Sequence, residues 1–159
     1  MHGNIGTANI DNCVAIGKNS LNGVLTSTAA GTVAMGYQAL AALTTGTKNI
    51  AIGFDAMKLT TEGDKNIAIG YAAMDAMQGQ IDADNVGDNN IAIGTDAMGS
   101  VNGGSHADSN TDSNIAIGVN ALLGGDFGGN DRELIGNIAI GFGAVSATSN
   151  NAQTGTIGI

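Results

Sequence analysis

A five-residue block recurs along the chain: a polar head, two aliphatic residues flanking an alanine, and a glycine. It reads Cys13-Val14-Ala15-Ile16-Gly17, Thr32-Val33-Ala34-Met35-Gly36, Asn49-Ile50-Ala51-Ile52-Gly53 and Asn66-Ile67-Ala68-Ile69-Gly70. It continues as Asn90-Ile91-Ala92-Ile93-Gly94, Asn114-Ile115-Ala116-Ile117-Gly118 and Asn137-Ile138-Ala139-Ile140-Gly141, with degenerate copies at Asn4-Ile5-Gly6 and Thr156-Ile157-Gly158. The aliphatic pair has period two, which places both on one face of a strand and the alanine on the other. A helix has a different period and would not carry a glycine at each repeat.

Successive motif glycines lie 19, 17, 17, 24, 24 and 23 residues apart. The block keeps its length and the segment after it varies, which is how stacked coils absorb insertions at one edge. After each glycine comes a stretch ending in a small residue and an aliphatic one, as in Phe54-Asp55-Ala56-Met57, Tyr71-Ala72-Ala73-Met74 and Thr95-Asp96-Ala97-Met98. One unit therefore reads as strand, glycine turn, second strand, loop. Strands apolar on both faces favour parallel pairing, so the expected fold is all-β: a parallel β-roll or β-solenoid of about seven coils, one domain over 1–159 and a fragment of a longer protein.

In this reading the coil interior is an aliphatic ladder of Val14, Ile16, Val33, Met35, Ile50, Ile52, Ile67, Ile69, Ile91, Ile93, Ile115, Ile117, Ile138 and Ile140. The opposite ladder, Ala15, Ala34, Ala51, Ala68, Ala92, Ala116 and Ala139, is a flat methyl strip expected to form a subunit interface about the stack axis. Gly17, Gly36, Gly53, Gly70, Gly94, Gly118 and Gly141 are the turns, where positive φ or close backbone approach is needed. The head asparagines suit either an amide ladder along the axis or a loop-to-strand corner. Cys13, in the asparagine slot, reads as a small buried residue.

The Asn-Ile-Ala-Ile-Gly block with its following Ala-Leu or Ala-Met resembles the head repeats of trimeric autotransporter adhesins, and more closely such repeats in phage tail-fibre proteins. The likeness covers residues 4–159. It implies a left-handed parallel β-roll in which three chains pack around a threefold axis. The long variable loops depart from the compact adhesin head and lean toward the viral fibre. The implied function is non-enzymatic: a homotrimeric tail-fibre or spike segment of a virion that attaches to a glycan or protein receptor on the host surface. A bacterial surface adhesin and a passive structural spacer are the alternatives.

Charge and composition narrow the classes further. The formal charge of −9 and pI near 4.1 leave no basic footprint for nucleic acid. A single cysteine excludes an intrachain disulfide framework, and no segment approaches a membrane span. The two histidines, His2 and His106, fall far from any nucleophile-base arrangement, and no cofactor is expected. Asp108, Asn110 and Asp112 place oxygen ligands at alternate positions, a weak metal candidate that lacks the glycine and distal glutamate of an EF-hand loop. Specificity is expected in the variable loops at 75–89, 99–113 and 123–136, with Phe127, Arg132 and Ile135 as candidate contacts.

Overall fold

The structure is a computed structural model that describes residues 11–23, 25, 29–77, 87–101, 110–124, 133–146 and 153–159. It is a parallel β-solenoid with no helix among the described residues. Among the described residues eleven short strands form two sheets: β1 (Val14–Ile16), β2 (Val33–Met35), β3 (Ile50–Ile52), β4 (Ile67–Ile69), β5 (Ile91–Ile93), β6 (Asn110–Asp112), β7 (Ile115–Ile117), β8 (Glu133–Ile135), β9 (Ile138–Ile140), β10 (Gln153–Thr154) and β11 (Ile157–Gly158). The larger sheet runs β1-β2-β3-β4-β5-β7-β9-β11, every pair parallel and in register, so Ala51 lies between Ala34 and Ala68. Each rung closes by backbone bonds on both sides of the motif: Val33 N–H donates to Asn49 O and Gly53 N–H to Met35 O, each at 2.8 Å.

The faces of this sheet are the reverse of the sequence expectation. Ala34, Ala51, Ala68, Ala92, Ala116 and Ala139 are completely buried in the coil interior, and Ala15 is half-buried at the top rung. Val14, Ile16, Met35, Ile69, Ile93, Ile117 and Ile140 are exposed, while Val33, Ile50, Ile52, Ile67, Ile91, Ile115 and Ile138 are half-buried. Period two was right and its direction was not. A coil of 17 residues encloses a narrow interior, and long side chains arrive from the opposite wall: Leu40, Leu43, Met57, Met74, Met98 and Leu122 are fully buried there. Interiors fill to crystal-like density, so beside those chains a strand has room for one methyl and not for two branched residues.

The segment after each glycine is a turn and not the expected second strand. Its backbone alternates into the left-handed region: Asp55 and Met57 have φ of 58° and 51°, and Ala72 and Met74 have 49° and 54°. A third such position precedes the motif, at Lys48 (57°) and Lys65 (59°). The left-handed conformation is costly for residues with a Cβ. Here it is held by bonds between coils, such as Met57 N–H to Ala73 O at 2.9 Å and Met74 N–H to Ala97 O at 3.0 Å. These repeated reversals let Ala56 and Met57 both reach the interior, where each is fully buried.

The smaller sheet, β6-β8-β10, occupies stretches expected to be loop. Asn110 pairs with Glu133, Thr111 with Leu134, and Asp112 with Ile135. Thr111 and Leu134 point inward and are nearly inaccessible, so longer coils use a second short strand to close their far wall.

Candidate self-association surface

Turned outward, the aliphatic pairs form a continuous apolar strip on one face of the solenoid. Among the exposed members of the seven pairs, exposure runs from 36% at Ile69 and Ile93 to 55% at Ile16, and the remaining members are half-buried. Its strand residues carry no charge, although the chain as a whole is strongly acidic. The strip continues around the glycine corner into the residues that follow: Tyr37, Phe54, Tyr71, Val119 and Phe142 are all exposed. The first three stack down the axis, Tyr37 on Phe54 with centroids 4.8 Å apart at 22° and Phe54 on Tyr71 at 5.6 Å and 14°. The corner glycine permits this layout. A Cβ at Gly53 would sit 2.1 Å from Gly70 O, and its φ is 143°.

Two polar columns hold the coils in register beneath this surface. The amide-ladder alternative for the head asparagines is the one adopted. Asn66 N–H donates to Asn49 Oδ1 and Asn90 N–H to Asn66 Oδ1, both at 2.9 Å; Asn114 and Asn137 repeat the bond at 3.0 Å. Each Nδ2 crosses the coil to a carbonyl: Asn49 to Gly63, Asn66 to Gly87, Asn90 to Thr111 and Asn114 to Leu134, at 2.6–2.8 Å. All five asparagines are completely buried, and buried amides stabilise only when satisfied in this way. Cys13 is half-buried, and its Sγ–H donates to Ala29 O at 2.9 Å, the same crossing bond from a thiol. Thr32 is too short to make it, and its buried Oγ1 has no partner.

The second column was not anticipated. Asp64 Oδ1 accepts from Thr47 N–H, Asp88 Oδ1 from Asp64 N–H, and Asp112 Oδ1 from Asp88 N–H, each at 2.7 Å. Its sequence signal was an aspartate two residues before three successive motif asparagines. Burial pushes the Asp88 carboxyl above its ordinary value, and the charges of Asp64 and Asp112 add to this; the bond to Asp64 N–H and the Lys65 charge act the other way. Asp75 is also raised, by burial first and then by Asp96 and Asp55. Asp55 pairs with Lys58 at 3.1 Å.

Of the residues named as binding or metal candidates, Asn110 and Asp112 lie in β6, where Asp112 takes part in the carboxylate column. Ile135 is half-buried at the end of β8, a strand position and not a loop contact. Asp108, Phe127 and Arg132 lie outside the described residues. Among the described residues no group of three or more His, Cys, Asp or Glu is placed to hold a metal, and no pocket is formed. Among the same residues no helix is long and apolar enough to cross a membrane.

No family model, curated protein or solved structure matches the chain.

Proposed function

We propose that the chain is a non-enzymatic segment of a homotrimeric phage tail fibre or spike, a stack of seven coils that carries loops for attachment to a host-cell surface. The observation that carries the reading is the uncharged outward strip on a chain of net charge −9. Exposed apolar patches of this extent mark interaction surfaces. Copies related by rotation about the stack axis place each rung against the same rung, so any charge in the strip would meet its like. An uncharged strip is what such an arrangement needs. The interface is thus assigned to the isoleucines and not to the buried alanines, and the number three follows the likeness of the repeat to fibre and adhesin heads.

Trimerisation would display every loop in three copies, allowing weak contacts to sum through avidity. The test is retention of labelled protein on cells, compared with a variant in which 78–86, 102–109 and 125–132 are replaced by short linkers. Retention on bacteria that is lost in the variant supports the tail-fibre reading. Retention on animal cells or matrix favours the adhesin instead. A folded, assembled protein retained by neither would contradict an attachment role and leave a spacer.

A further inference from the structure

The outward strip has a property that self-association alone does not resolve. From Ile50 and Ile52 to Ile138 and Ile140, five successive rungs present the same Ile-x-Ile pair. A neighbouring copy displaced by one coil, about 4.8 Å, would meet nearly the same surface, and repetitive pairing of this kind specifies register weakly. The corner column beside the strip is not repetitive. Its residues in chain order are Lys18, Tyr37, Phe54, Tyr71, Thr95, Val119 and Phe142, so three adjoining aromatics are bounded by a lysine above and a threonine below.

Resting on the homo-oligomer proposed above, we propose that the Tyr37, Phe54 and Tyr71 column packs against the same rungs of a second copy and fixes the axial register of the assembled chains. Phe54 has a ring stacked on either face, so its 48% exposure lies mostly at the ring edge, a geometry suited to packing against aliphatic and aromatic neighbours. The column is continuous with the strip through Met35, Ile52 and Ile69, one glycine away in each rung. A one-coil slip would set the Tyr71 rung against Thr95 and the Tyr37 rung against Lys18, exchanging aromatic contacts for a small polar residue and a desolvated charge.

The chain has two tyrosines, both in this column, and no tryptophan, so its intrinsic fluorescence reports on the column alone. Iodide quenching is measured with light scattering on the same sample, for the unaltered chain and for the Ile93→Lys, Ile117→Lys variant, which breaks the strip away from the column. The expected result is a multimer whose tyrosines are quenched severalfold less than those of the dissociated variant. A multimer whose tyrosines are quenched as readily as free tyrosine overturns the proposal and returns the column to solvent. Equal shielding in multimer and dissociated variant also overturns it. A monomeric unaltered chain instead removes the self-association reading on which it rests.

Discussion

Gly53 stands between two requirements that a side chain cannot meet together, a φ of 143° and a backbone oxygen 2.1 Å from where its Cβ would lie. Gly53→Ala should cost about 3 kcal/mol or more, the range for strain combined with a backbone clash, read as a lower midpoint of thermal unfolding. The reverse experiment is available at Thr32, the buried interruption of the amide column. An asparagine there would offer Oδ1 to Asn49 N–H and Nδ2 across the coil, as Asn49 does to Asn66 and Gly63. Thr32→Asn is expected to raise stability by about 1 kcal/mol, the net worth of an added buried hydrogen bond, measured by denaturant unfolding. The glycine role was legible from the repeat because few residues tolerate such a backbone. Which of two asparagine roles was taken was not, since both place the amide at the same corner.

At the scale of the element, the strand was legible and its partner segment was not. Three residues of period two identify β3 or β4, but Phe54-Asp55-Ala56-Met57 ends in two adjacent apolar residues, and its backbone reverses at Asp55 and Met57. Aspartate tolerates left-handed φ better than most residues, but methionine does not advertise it, and at Met57 the bond between coils to Ala73 O imposes it. The aspartate column belongs to the same level. Asp88 has its carboxyl raised above 3.8, so the folded state holds the proton more tightly than the unfolded chain. Its contribution is fully present below pH 3.8 and is lost as the pH rises through the raised value. Asp88→Asn keeps an Oδ1 acceptor for Asp64 N–H and removes the charge. It should therefore raise the melting temperature at pH 7, with the gain shrinking in acid; a loss at pH 7 would show that the ionised carboxylate strengthens the bond more than it strains the column.

For the whole molecule, the parallel stack was readable because the motif spacing varies while the motif does not. The facing was not readable, because a three-residue strand of Ile-Ala-Ile is apolar whichever way it turns. What decides it is the width of the coil and the long Leu and Met chains from the opposite wall, a property of the closed coil and of no single strand. That reversal moves the apolar strip from the core to the surface, where association of copies would cover it. Association is read from the solution mass of the purified chain by light scattering, with Ile93→Lys, Ile117→Lys alongside. A mass near three times 15.6 kDa, falling to one chain in the variant while the fold is kept, is the predicted result. A stable monomer with its isoleucine strip in water would contradict it.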